Sequence, residues 1–205
     1  MMSETGFWWI LLSIGLYGAL HSILASNRVK QRAAARFGQD VYQRYYRLFF
    51  SAAGGLTFLP VLALTSLLPD HTLYTIPSPW VYLTLGIQGL AVIGLVIGVM
   101  QTGVTKFLGI QQWLSYDPQR TTPLPEKLVL TGLYRWVRHP LYTCTYLFLW
   151  LTPVMTWNLL ALNLGVTIYM YIGTFFEERK LVEQFGKDYE EYRAQTPRII
   201  PGLRL

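Results

Sequence analysis

Two polar clusters lie where long apolar runs meet charged segments, and their residue types are those that bind charge. The first is Gly132-Leu133-Tyr134-Arg135-Trp136-Val137-Arg138-His139-Pro140-Leu141-Tyr142. Proline is favoured at the first position of a helix and drives the preceding residue into an extended conformation, so Arg138 and His139 are expected to arrive extended at a helix start. A helix N-terminus flanked by Arg and His is an anion site. The second cluster is Phe175-Phe176-Glu177-Glu178-Arg179-Lys180-Leu181. Glu178, Leu181, Val182, Phe185, Tyr189 and Tyr192 follow helical spacing, which places Glu178 at the membrane end of an apolar and aromatic stripe. A carboxylate there needs a cation, and Arg138, His139 or the ammonium or hydroxyl groups of a ligand can supply the partner.

Together the clusters offer donors for a carboxylate, acceptors for an ammonium or a ribose, and the aromatic faces of Tyr134, Trp136, Tyr142 and Tyr146, which attract cations. S-adenosylmethionine carries all of these groups and a sulfonium. Plainer readings stand beside this one. Glu177 to Lys180 also fits an interfacial charge run, Arg138 with His139 a snorkelling basic flank, and Tyr142 with Tyr146 an aromatic belt. Cys144, the single cysteine, is expected to be a small packing residue, and no metal site is expected. His71 reads as a loop residue, and His21 as an inward-facing, hydrogen-bonded side chain.

The elements that must position these clusters are apolar. Of 205 residues, 52% are hydrophobic and only 14% charged, against about 25% in a soluble domain. An integral membrane protein follows. Runs of about 20 apolar residues, free of Lys, Arg, Asp and Glu, extend from Gly6 to Ala25, Leu48 to Leu68 and Trp80 to Met100. A charge-free stretch from Pro140 to Phe176 is too long for one span, and Thr152-Pro153 and Trp157-Asn158 mark where it turns. The expected fold is therefore all-α, with about five transmembrane helices (the last two over 140–156 and 158–176) and a cytoplasmic amphipathic helix over 177–195. The whole chain reads as one membrane-embedded domain. Met1 to Thr5 carries Glu4 and no basic side chain, so the first run reads as a retained span, not a secretory leader.

All seventeen Lys and Arg fall in three segments, Arg28 to Arg47, Lys106 to Arg138 and Arg179 to Arg204. With five spans these segments share one side, which predicts an outside N-terminus and a cytoplasmic C-terminus. The net charge of +6 then reports topology and anionic membrane lipids, not nucleic acid. A weak echo links Arg36-Phe37-Gly38-Gln39-Asp40 with Gln184-Phe185-Gly186-Lys187-Asp188, and glycine-capped helix ends account for it.

Gly132-x-Tyr134, Arg138-His139-Pro140-x-Tyr142, Glu177-Glu178 with Leu181, Phe185-Gly186, Tyr189 and Tyr192, and a closing Pro197-Arg198-x-x-Pro201 resemble the isoprenylcysteine carboxyl methyltransferase and phospholipid methyltransferase superfamily. The resemblance covers about the C-terminal half. Thr152-Pro153-x-Met155-Thr156, Phe176-Glu177-Glu178-Arg179 and His21-Ser22-Ile23-Leu24-Ala25-Ser26 are similar to its methanethiol S-methyltransferase branch. The resemblance implies a membrane-embedded enzyme that binds S-adenosylmethionine on the cytoplasmic side. It assigns Tyr134, Arg138, His139, Tyr142, Glu177 and Glu178 to the cofactor, with Arg138 and His139 also catalytic. The implied acceptor is a small thiol, or alternatively a prenylcysteine carboxyl group or a lipid amine. A haem-binding protein with His21 and His139 as ligands is the alternative of another class.

Overall fold

The computed structural model describes residues 4–117 and 128–203. Arg120, Lys127 and Arg204, counted above among the basic residues, lie outside them. Among the described residues, four helices are long and apolar enough to cross a membrane: α1 (Phe7–Ala25), α3 (Gln39–Leu67), α4 (Trp80–Thr102) and α8 (Trp157–Phe185). Leu16 and Leu56 are each 65% exposed and Leu90 67%, a surface that suits lipid and not water. This is an all-helical, multi-pass membrane protein. Its one sheet is small: β1 (Thr72–Thr75) pairs antiparallel with β2 (Val154–Thr156), in the register Tyr74 to Met155 and Thr75 to Val154.

The span expected over 140–156 takes a different form. Helix α7 (Pro140–Trp150) has 11 residues, about 16 Å, which falls short of the roughly 30 Å hydrocarbon layer. After a turn at Leu151, the strand β2 hands the chain to α8 beside β1. Thr152-Pro153 interrupts the helical hydrogen bonds here, and pairing with β1 satisfies the backbone that leaves the helix. Among the described residues, four long helices are thus joined by one short helix followed by a strand where a fifth span was expected. The C-terminal helix expected over 177–195 is also divided. Helix α8 continues through Glu177 and Glu178 to Phe185, Gly186 breaks it at φ 55°, and α9 spans Lys187–Gln195. The echoed Gly38, at φ 88°, separates α2 (Asn27–Phe37) from α3 in the same way. Both glycines hold a positive φ that a residue with a Cβ adopts only with strain.

Two bodies make up the bundle. Phe7, Ile10 and Ile14 of α1, Val61 of α3, and Ala161 and Leu162 of α8 form the buried core of one. Asn158, fully buried, locks the end of this core near Gly6 by donating to the carbonyls of Leu68 and Pro69 at 3.2 and 3.3 Å, while Gly6 N donates to Pro69 O. In the other, α7 lies on α4, with Cys144 against Gly94 and Leu141 against Gly98. Cys144 is a packing residue, as its place in an apolar helix suggested. Tyr146 Oη and Trp150 Nε1 donate to the carbonyl and hydroxyl of Thr167, joining α7 to α8. Below α4, the short helices α5 (Val104–Leu108) and α6 (Ile110–Leu114) rest on α3, where Arg47 Nε donates to Phe107 O.

Candidate active site

Gly132 begins the segment that carries the first cluster. Its φ is 64°, and a Cβ there would overlap the amide of Gln101 on α4, so glycine lets the chain press against that helix. Leu133 N donates to Gln101 Oε1 at 3.3 Å. A 3₁₀ turn (Gly132–Arg135) follows, and Pro140 starts α7; His139 before it leaves the helical region at φ −123° and ψ 65°, short of the fully extended backbone expected. The pair docks on the C-terminal segment: Arg138 N donates to Pro197 O at 2.9 Å and His139 N to Arg198 O at 3.0 Å. Thr143 Oγ1 donates to Ile199 O at 2.6 Å and extends the seam. The Pro-Arg motif near the end of the chain is thus the hydrogen-bonding partner of Arg-His-Pro.

Glu178 lies at the centre of the site. Arg138 Nε donates to its Oε1 at 2.8 Å, His139 Nε2 lies 3.2 Å from the same oxygen, and Arg198 reaches both carboxylate oxygens at 3.3 Å. The Arg138 and Glu178 side chains are only 5% and 4% exposed. Arg138 Nη1 donates to the carbonyls of Arg193 and Thr196 at 2.8 and 2.7 Å. These bonds commit the Arg138 fork to the chain itself, as a clamp that joins α7, α8 and the segment after α9. Such a buried charge cluster tolerates burial because every member has partners.

Glu177, one residue earlier, is half-exposed. Tyr142 Oη donates to its Oε2 at 2.9 Å, and His139 Nδ1 lies 3.6 Å from that oxygen. The imidazole stacks on the Tyr142 ring at 5.2 Å between centroids. His139 thus stands between the two glutamates, facing the buried one through Nε2 and the accessible one through Nδ1.

Tyr134 contributes differently: its carbonyl accepts a hydrogen bond of 2.5 Å from Tyr192 Oη, so α9 braces the 3₁₀ turn. Burial, with the Glu177 charge adding to it, pushes the Tyr134 phenol up to about 12; burial does the same for Tyr192, against a downward pull from Arg138. Both remain O–H donors across the physiological range. Tyr189, almost wholly buried beneath the cluster, has a hydroxyl without a hydrogen-bond partner, and burial pushes its pKa well up. Trp136 is 70% exposed.

All six residues singled out in the sequence therefore meet at one end of the bundle, in two tiers. Glu177, Tyr142 and Tyr134 border accessible space, while Arg138, His139 and Glu178 are buried beneath them. Sequence reasoning assigned no role to Arg198, whose guanidinium sits 4.3 Å over the Phe175 ring and pairs with Glu178. Its signal was the closing Pro197-Arg198, read only as a motif. His21 is elsewhere, between α1 and α3, stacked on Tyr17 and 4.5 Å from Phe50. Its Nδ1 is buried without the expected hydrogen bond. With both nitrogens of His139 facing carboxylates, the two histidines do not form a ligand pair. Among the described residues no cluster of His, Cys, Asp and Glu could hold a metal ion.

An apolar multi-pass bundle with a buried acid, arginine and imidazole cluster under an accessible carboxylate and tyrosine defines a membrane protein with a polar site at one end. The family model for phospholipid methyltransferases (PEMT) matches residues 84–188, which includes most of α4, all of α7 and α8 and both polar clusters. The chain belongs to this family and is a membrane methyltransferase. It is similar to methanethiol S-methyltransferase of Crocosphaera subtropica, at 29% identity over 95% of this chain and 75% of the relative. Methanethiol S-methyltransferase 1 of Bradyrhizobium diazoefficiens is 28% identical over 95% of this chain and 66% of its own length. Human protein-S-isoprenylcysteine O-methyltransferase is 28% identical over 70% and 56%. No solved structure matches the chain.

Proposed function

We propose that this protein transfers a methyl group from S-adenosylmethionine to a small thiol, and that its 205 residues act as one membrane-embedded catalytic domain. The observation that carries the reading is the half-exposed Glu177 carboxylate, held by Tyr142 beside His139 over a buried charge cluster, in a chain that aligns along 95% of its length with a methanethiol S-methyltransferase. The donor set fits the cofactor. Glu177 is an acceptor for an ammonium or ribose hydroxyls, Tyr134, Tyr142 and Trp136 supply rings for a cationic sulfur, and Tyr189 retains an unused hydroxyl. When bound, S-adenosylmethionine supplies an electrophilic methyl on a sulfonium, which a thiolate displaces in line.

The side chains have three tasks. Glu177, Tyr142 and Tyr134 hold and orient the cofactor, and Arg138, Glu178 and Arg198 keep the α7 start and the C-terminal segment in register beneath them. His139, itself buried, carries the proton chemistry through Nδ1, which faces the half-exposed Glu177 carboxylate, and a thiol with a pKa of about 8.5 loses its proton at that pair. Alignment and exclusion of water supply the rest of the acceleration. The site end of the bundle is assigned to the cytoplasm, and the Gly6 end to the outside, because the basic segments gather at the former.

Purified protein incubated with methyl-labelled S-adenosylmethionine and a panel of methanethiol, larger thiols, a prenylcysteine and an aminophospholipid tests the proposal. Labelled dimethyl sulfide is the expected main product. Label found chiefly in the prenylcysteine ester or the lipid would move the acceptor to the alternative class; no labelled product with any acceptor would remove the cofactor assignment.

A further inference from the structure

Helix α2 lies apart from the methylation site and carries four basic residues and no acid. Arg28, Arg32 and Arg36 recur every four residues, so at about 100° per residue they form one stripe along the helix. All three are exposed, and among the described residues no acid pairs with them. On one side of the stripe lie Val29, Ala33 and Phe37, the last 65% exposed. On the other side α2 and the first turns of α3 enclose a groove of about 700 Å³, with Ala34, Ala35 and Tyr42 among its walls and Asn27 and Gln31 at its rim.

The groove is preformed. Ser26 caps α2, its hydroxyl accepting from Val29 N and donating to Ile23 O, and Gly38 sets the bend into α3. Tyr46 Oη donates to Leu24 O at 2.6 Å and Lys180 Nζ to Ala25 O at 3.3 Å, so both α3 and α8 hold the end of α1 from which α2 departs. Three unpaired guanidiniums between an exposed phenylalanine and a preformed groove, next to the end of two apolar helices, suit one kind of ligand. It has an anionic phosphate at the level of the stripe and acyl chains on the Phe37 side.

We propose that the α2–α3 elbow is a binding site for an anionic phospholipid, whose phosphate engages Arg28, Arg32 and Arg36 and whose headgroup occupies the groove. Guanidinium forks match phosphate oxygens geometrically, which distinguishes this stripe from a diffuse basic flank. The site does not depend on the methyl-transfer reading.

Native mass spectrometry of the detergent-released full chain, given equal amounts of phosphatidylglycerol and phosphatidylcholine with identical acyl chains, provides the test. Wild-type protein is expected to retain the anionic lipid at least about tenfold over the zwitterionic one, and the triple variant Arg28→Gln/Arg32→Gln/Arg36→Gln to fall to near parity. The double variant Arg179→Gln/Lys187→Gln, which removes two charges from the other basic segment, is expected to keep the wild-type preference. If the triple variant does not fold, Arg32→Gln alone should lower the preference about threefold. Equal retention of the two lipids by the wild type overturns the site. So does undiminished preference in the arginine variants, or equal loss in the Arg179/Lys187 variant, which would make the effect one of bulk charge.

Discussion

Adjacent glutamates do opposite work in this protein, because one α-helical step of about 100° turns Glu177 toward accessible space and Glu178 into the interior. Glu177→Gln keeps size and most of the packing and removes one charge from a half-exposed side chain. It should leave the thermal midpoint in detergent within about a degree of wild type, while cofactor affinity by calorimetry falls about tenfold to a hundredfold, the worth of one charge-assisted contact. Equal affinity in the variant would take Glu177 out of the site. Arg138→Lys is predicted to behave in the reverse way. Its Nε and Nη1 serve Glu178 and two carbonyls in three directions, and a single ammonium cannot reproduce that fork. The variant should insert in the membrane yet unfold at a lower temperature, and amides from Thr196 to Ile199 should exchange faster with deuterium. Unchanged exchange in that segment would show that the clamp is dispensable.

Between helices, the site depends on two joints that are cheap in sequence and costly to alter. At Gly186 the backbone takes φ 55° and ψ −127°, a region essentially restricted to glycine, and there α9 turns so that Tyr192 reaches the Tyr134 carbonyl. Gly186→Ala should cost about 1–3 kcal/mol of stability and loosen the 3₁₀ turn. The observable is joint loss: a lower unfolding midpoint together with weaker cofactor binding. A variant that unfolds earlier but binds the cofactor as tightly as wild type would separate the α8–α9 elbow from the site. The second joint is the hydrogen-bonded seam between Arg138-His139 and Pro197-Arg198, which makes a segment near the chain's end part of the wall of the site.

Across the whole molecule, Gly6 and the β1–β2 ribbon lie at one end of the bundle and the charge cluster at the other. In a Cys144→Ala background, Thr72→Cys should react with a membrane-impermeant maleimide added to intact cells, and Gln43→Cys should react only after the cells are opened. The reverse pattern would invert the assigned orientation without changing the fold. Helix α7, with 11 residues, is much shorter than α8, and the pairing of β2 with β1 stands in place of the missing helical turns.

The amino-acid sequence by itself determined the membrane class, the three uninterrupted helices and the six polar residues of the site. Apolar run length and helical period are local properties, and charged side chains cannot be left in lipid without a role. It also placed Arg138 and His139 at a helix start, because proline constrains its own φ and its predecessor's backbone. Tertiary structure alone decided which of those residues are buried and which stay open to a ligand's approach. Arg138 and Glu178 look like binding groups in one dimension, yet the Arg138 side chain finds its partners 40 to 58 residues away within the chain and that of Glu178 finds its own 20 to 40 residues away. It likewise decided that 140–156 is a short helix closed by a strand, since β2 has no partner until β1, about 80 residues earlier, is folded beside it. Arg198 became part of the site for the same reason. Its role is a long-range contact, which spacing along a sequence does not encode.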